Sequence, residues 1–156
     1  VHTTRIFARK LWEAMGTEWN VRWAMRYGSP SIASAMKDFP PASEIYVVPL
    51  YPQYAQSSTQ TAIDQVLKYK SPHHKIRVLR DFYGQPEFIE AQARKIESAA
   101  QEFKPDHILL SYHGLPEHHL AKLHPSHCLK DECCHTVSDR NRNCYRAQAF
   151  ATTRAL

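Results

Sequence analysis

The sequence predicts an α/β fold: a doubly wound parallel sheet with helices on both faces. Two patterns carry that reading. Short β-branched and aromatic runs alternate four times with apolar stripes of helical period, and the connections between them are short. A third observation is size and usage. The chain has 156 residues, 43 % hydrophobic and 22 % charged, about one domain of ordinary globular composition.

Residues 3–15 place Ile6, Leu11 and Met15, with Phe7 and Ala14, on one helical stripe, and Gly16 stands where that helix should stop. Val21 to Tyr27 reads as a strand closed by Gly28-Ser29-Pro30. Ser29 is expected to cap a helix with Pro30 at its first position and Ile32, Ala35 and Met36 along it. Glu44 to Leu50 is a second strand around Ile45-Tyr46-Val47-Val48. A polar loop follows over Tyr51-Pro52-Gln53-Tyr54-Ala55-Gln56. Ser57 and Gln60 have capping-box spacing, which predicts a helix over 58–69. Lys75 to Arg80 is a third strand. Pro86 opens a helix to about Phe103, burying Phe88, Ile89, Ala93 and Ile96. Asp106 to Tyr112 is a fourth strand. The pattern then dissolves until Cys144, and a last helix covers 145–155. No internal repeat is present.

Ligands of open parallel sheets bind outside the carboxyl ends of the strands. Three segments stand there: Arg26-Tyr27-Gly28-Ser29-Pro30, Leu50-Tyr51-Pro52-Gln53-Tyr54 and Ser111-Tyr112-His113-Gly114-Leu115-Pro116. They are expected to share one rim. His113 follows an apolar strand directly, and Gly114 and Pro116 force a turn after it. An imidazole so held can accept a proton near neutral pH or bind a metal, although a histidine can also simply close a strand end. Tyr27, Tyr51 and Tyr54 offer aromatic faces, and Arg26 offers a fork that matches a carboxylate. Ser57, Ser58 and Thr59 open a helix whose N–H groups could meet an anion, or they could serve as caps alone.

Several classes are disfavoured. The net charge of +5, with a pI near 9.1, comes from scattered basic residues with no aromatic-interleaved stripe, which argues against a nucleic-acid partner. With four glycines there is no GxGxxG, no Walker loop and no Gly-x-Ser-x-Gly elbow. No run of about 18 apolar residues exists, so no membrane-spanning helix is expected. The chain opens on Val1 in a helical pattern, as a piece of a longer protein would.

All four cysteines, Cys128, Cys133, Cys134 and Cys144, lie in one short segment. His107, His113, His118, His119, His124, His127 and His135 crowd the same region. Clustered cysteines in a chain whose remainder has none read as a metal site rather than a disulfide framework. Four thiolates suit zinc or an iron–sulfur cluster. His124, His127 and His135 leave mixed Cys/His zinc ligation open, and buried thiols without metal are the plain alternative.

Ala24-Met25-Arg26-Tyr27-Gly28-Ser29-Pro30-Ser31-Ile32, Pro49-Leu50-Tyr51-Pro52-Gln53-Tyr54-Ala55 with Ser57-Ser58-Thr59, and Ser111-Tyr112-His113-Gly114-Leu115-Pro116-Glu117 together resemble the ferrochelatase family, in its order and spacing. Arg80-Asp81-Phe82-Tyr83-Gly84-Gln85-Pro86-Glu87-Phe88-Ile89 also matches. The likeness covers nearly the whole chain and implies a Rossmann-like lobe of a type II, two-lobed chelatase. It implies insertion of Fe²⁺ into a porphyrin, with porphyrin and ferrous iron as partners and two pyrrole protons released. His113 falls on the family's histidine, which accepts those protons or handles the incoming iron. Arg26, Tyr27, Tyr51 and Tyr54 fall on positions lining the porphyrin cleft, and Ser57, Ser58 and Thr59 follow them.

Where ordinary members continue into Gly-Asp-Pro-Tyr, this chain has His124-Pro125-Ser126-His127 and the cysteine segment. Some bacterial relatives carry a [2Fe–2S] cluster there. The resemblance therefore implies Cys128, Cys133, Cys134 and Cys144 as cluster ligands, with zinc as the alternative occupant. Cys133 and Cys134 can both ligate only if the backbone turns between them. By the same resemblance, 1–103 is most of a first lobe without its opening strand. Residues 104–156 are then the opening strand, cysteine loop and helix of a second. Such a piece is expected to need the remainder of its chain for activity, in the cytoplasm or peripherally at the inner membrane. A related cobalt chelatase and a non-catalytic Cys/His module are the alternatives.

Overall fold

The computed structural model describes residues 2–123 and 132–156. In chain order the elements are α1 (His2–Met15), α2 (Ile32–Lys37), β1 (Glu44–Val47), a π-helical turn (Gln56–Gln60), α3 (Thr61–Tyr69), β2 (Lys75–Val78), α4 (Pro86–Phe103), α5 (Glu117–Leu123), a 3₁₀ turn (Cys133–His135) and α6 (Tyr145–Ala155). They fall into two compact units, Val1–Val48 with Thr61–Val78, and Pro49–Gln60 with Leu79–Leu156.

The first unit holds the sheet. β1 and β2 pair in parallel, Glu44 opposite Lys75 through Val47 opposite Val78. α3 lies in the crossover between them, the connection that parallel strands require. Met36, Ile45 and Val66 are buried together, with Ile32, Phe39, Val47 and Ile76 packed against them. Each such side chain contributes about 1.5–3 kcal/mol on full burial. Gly16 ends α1 as expected. It sits at φ +81, and its N–H reaches the Trp12 carbonyl at 3.0 Å, a conformation that glycine adopts without steric cost. His74 is a buried structural histidine. Its Nδ1 accepts the Ser71 N–H, which leaves Nε2 to donate to the Pro40 carbonyl at 3.0 Å.

Three expectations need correction. Val21 to Tyr27 forms no strand. Among the described residues its ladder contact is an isolated bridge from Met25 to Ser31, because the chain folds back at Gly28 and the Met25 N–H is taken by the Pro30 carbonyl at 2.8 Å. That fold-back also moves the start of α2: Ser31, not Ser29, is the N-cap, accepting the Ser34 N–H at 3.1 Å. Asp106 to Tyr112 likewise forms no strand. A strand exists only through a neighbour that takes its N–H and C=O groups, and among the described residues none lies beside it. Leu109 is 91 % exposed. The α/β class and the parallel sheet stand, with two paired strands among the described residues rather than four.

In the second unit α4 runs the predicted length and closes on Lys104 in the left-handed region, its N–H on the Ala100 carbonyl at 2.8 Å. α6 also falls where expected. The core is Leu120, Cys134, Cys144 and Ala147, covered by Leu115, Cys133, Val137, Tyr145 and Phe150. Leu120 comes from α5, which the sequence reading did not foresee. No described helix is long and apolar enough to cross a membrane.

Candidate functional site

Of the three predicted rim segments, Arg26–Pro30 belongs to the first unit, and Leu50–Tyr54 and Ser111–Pro116 belong to the second. The second unit anchors its two segments on one helix, α6. The fully buried Gln148 carboxamide accepts the Tyr54 backbone N–H at 2.6 Å. Its amide nitrogen donates to the Arg142 carbonyl at 2.6 Å and faces an Asp81 carboxylate oxygen at 3.4 Å. One turn on, the Thr152 hydroxyl accepts from the Gln53 side chain at 3.0 Å and lies 2.9 Å from the Tyr83 carbonyl. The neighbouring Thr153 hydroxyl lies 3.0 Å from the Tyr112 phenol. Three polar positions of one helix, Gln148, Thr152 and Thr153, thus hold the Tyr-Pro-Gln-Tyr loop and the residue before His113.

The loop itself turns tightly. Tyr51 N–H reaches the Pro49 carbonyl at 2.8 Å, and Phe82 N–H reaches the Pro52 carbonyl at 3.0 Å. Tyr51 is 39 % exposed and Tyr54 is 4 % exposed. The Tyr54 ring is covered by the Arg80 guanidinium at 4.3 Å, and its phenol donates to Gln60 at 3.1 Å. In this arrangement Tyr51 offers a face while Tyr54 shapes the loop from inside. Thr59 is fully buried, and its hydroxyl faces the Ala55 N–H at 3.4 Å. It therefore closes the loop internally. Ser57 and Ser58 open the π-helical turn beside it.

His113 is exposed on the turn that leads into α5. Burial pushes the nearby Tyr145 phenol above the usual tyrosine range, and Tyr112 adds to that shift. The His113 backbone N–H works against it, because it stabilises the phenolate. In the first unit, Arg26 stacks over Tyr27 at 4.5 Å, and Tyr27 is 74 % exposed. The Arg26 Nε is buried and has no hydrogen-bond partner among the described residues. A buried guanidinium N–H without an acceptor is costly, and an incoming carboxylate would satisfy it.

The cysteine segment is the other cluster. Cys128, His124 and His127 lie outside the described residues. Cys133 and Cys134 stand on a 3₁₀ turn that contains no glycine, so the backbone does turn between them. Their sulfurs are 3.9 Å apart, close to the ~3.8 Å edge expected of two thiolates at about 2.3 Å on one tetrahedral metal. Cys134 and Cys144 are each 1 % exposed in the same apolar cluster. Among the described residues no three His, Cys, Asp or Glu side chains converge as a metal group. The Cys133–Cys134 pair has the spacing of two thiolates on one metal, and among the described residues Cys144 does not join it as a third donor. Asn141, which belongs to no motif in the sequence, staples this segment. Its side chain donates to the Cys133 and Thr136 carbonyls and accepts the Ser138 N–H at 2.7 Å, while its own carbonyl takes the Cys144 N–H at 2.8 Å.

An open polar cavity of about 480 Å³ lies beside that segment, lined by Asp81, Tyr83, Val137, Ser138, Asp139 and Arg142. None of the predicted rim residues lines it. Burial raises the Tyr83 phenol there, Asp81 raises it further, and Arg142 opposes both.

The family model described as Ferrochelatase matches residues 1–156. Among curated proteins, a ferrochelatase of Coxiella burnetii is 36 % identical over 98 % of this chain and 44 % of its own length. One of Pseudomonas syringae pv. syringae is 39 % identical over 97 % of this chain and 47 % of its own. One of Ectopseudomonas mendocina is 43 % identical over 93 % and 46 %. The chain thus spans under half the length of these relatives. No solved structure matches it. With the rim motifs in the family's order and the family model matched from end to end, the chain belongs to the ferrochelatase family.

Proposed function

We propose that this chain supplies the histidine and part of the porphyrin-binding surface of a ferrochelatase, which inserts Fe²⁺ into a porphyrin to form haem. The observation that carries the reading is the family match over residues 1–156. The exposed His113, on a turn next to a residue held by α6, supports it.

Metallation exchanges two pyrrole N–H protons for one Fe²⁺. Two protons must leave as the metal enters; the exposed His113 imidazole can accept one at a time and release it to water before taking the next. The same lone pair could instead meet the incoming iron. Tyr51, on the loop held by α6, offers an exposed aromatic face for a flat macrocycle, and by the resemblance Tyr27 is a second such position. The unsatisfied Arg26 Nε suits a carboxylate on its edge. Ser57 and Ser58 add polar contacts, and Tyr54 and Thr59 hold the loop's shape from within. A surface that favours a bent porphyrin lowers the metallation barrier, because bending exposes the pyrrole lone pairs to the metal.

The same reading gives Cys128, Cys133, Cys134 and Cys144 a [2Fe–2S] cluster, with zinc as the alternative occupant. The 3.9 Å pair of sulfurs supports thiolate ligation. When bound, such a cluster supplies one-electron redox capacity. Two experiments test the two parts. Anaerobic incubation of the full-length protein with porphyrin and Fe²⁺ should yield the haem absorption spectrum; porphyrin left unchanged would refute the activity. Two irons and two acid-labile sulfides per chain would support the cluster, whereas one zinc without sulfide would replace it.

A further inference from the structure

We propose that Gln148 is a positioning residue for porphyrin binding, because its carboxamide locks the Tyr51–Tyr54 loop onto α6. The inference rests on the porphyrin reading of that loop.

A carboxamide with no exposure to water is costly unless every polar atom is paired. That of Gln148 is fully paired. Its oxygen takes the Tyr54 N–H, and its two N–H groups serve the Arg142 carbonyl and the Asp81 carboxylate. The orientation follows from the partners: a backbone N–H can only donate and a carbonyl can only accept. Both short bonds, 2.6 Å each, go to main chain rather than to side chains. The residue therefore sets where backbone runs, a task that a hydrocarbon of equal size could not perform.

The backbone it sets is that of the loop. Tyr54 itself is buried, so the N–H that Gln148 takes has no route to water. Three residues earlier, Tyr51 carries the exposed ring. Between them Gln53 is pinned by Thr152, and the Pro52 carbonyl is taken by Phe82. The slack left to Tyr51 is small as long as both α6 bonds hold. Losing the Gln148 bond orphans the Tyr54 N–H, and the loop must shift to hydrate it. Because Gln148 is itself buried, it acts on the macrocycle only through the loop.

The test uses the full-length protein and its Gln148→Met variant. Porphyrin Kd is read by fluorescence titration, and KM is measured separately for porphyrin and for Fe²⁺. Amide hydrogen exchange at Tyr54 is measured in the wild type. Gln148→Met should raise both porphyrin Kd and porphyrin KM by about tenfold and leave the KM for Fe²⁺ unchanged. The wild-type Tyr54 amide should exchange slowly, which holds whether or not the variant folds. A folded Gln148→Met with wild-type porphyrin affinity, or a fast-exchanging Tyr54 amide, overturns the inference. Tyr51→Ala separates the two layers. Unchanged porphyrin affinity in Tyr51→Ala overturns the porphyrin reading and this inference with it. Weakened binding there beside unchanged binding in Gln148→Met overturns this inference alone.

Discussion

The guanidinium of Arg80 lies 4.3 Å from the ring centroid of Tyr54, so the second tyrosine of the Tyr-Pro-Gln-Tyr loop has one face covered by a neighbouring cation. A partly desolvated stack of this kind is worth about 0.5–2 kcal/mol. Lysine keeps the charge but loses the flat overlap. Arg80→Lys is therefore expected to lower stability by about 1 kcal/mol in chemical denaturation. A double-mutant cycle with Tyr54→Leu should recover most of that loss as coupling energy; additive losses would show that the stack contributes nothing.

Asn141 holds the cysteine segment by its side chain, from the Cys133 carbonyl to the Ser138 N–H. Removing a buried amide that serves several main-chain groups costs about 1–3 kcal/mol. Asn141→Ala should therefore lower the melting temperature. It should also speed alkylation of Cys134 and Cys144, which in metal-free protein should react slowly because each is buried. Equal alkylation rates in wild type and variant would contradict that role.

Glu44 at the start of β1 pairs with Arg77 on β2. The side-chain hydrogen bond from Arg77, and then its charge, hold the Glu44 carboxyl below the usual range. A carboxylate with a lowered folded-state pKa stabilises the fold above its unfolded value, and that contribution fades as pH falls through the folded value. Stability should accordingly decline below about pH 4.5, more gently in Glu44→Gln. The pair is solvent-exposed, so added salt should shrink the difference. Parallel pH–stability curves for the two proteins would rule the pair out as a contributor.

Much of this architecture was legible in the sequence. α1, α4 and α6 were, because a helix satisfies its own backbone and needs only a stripe with a start or a stop, such as Pro86 opening α4 or Gly16 closing α1. The two expected strands that do not form failed for the opposite reason: Val21–Tyr27 and Asp106–Tyr112 have strand-like composition, but a strand is a property of a pair. α5 escaped because its seven residues hold too few apolar positions to show a period, although Pro116 and Glu117 marked its start. The exposed candidates His113, Tyr51 and Tyr27 could be read from motif and position. Gln148, Thr152 and Asn141 could not, since a pattern reading assigns polar side chains to the surface and sees no buried polar network.

His113 carries the proposed metallation step. The direct measurement is the rate of porphyrin metallation by full-length protein and its His113→Ala variant, with porphyrin Kd measured alongside. His113→Ala should lose roughly 10²-fold or more in rate, with porphyrin affinity within about twofold of wild type. A variant that metallates porphyrin at the wild-type rate would contradict it.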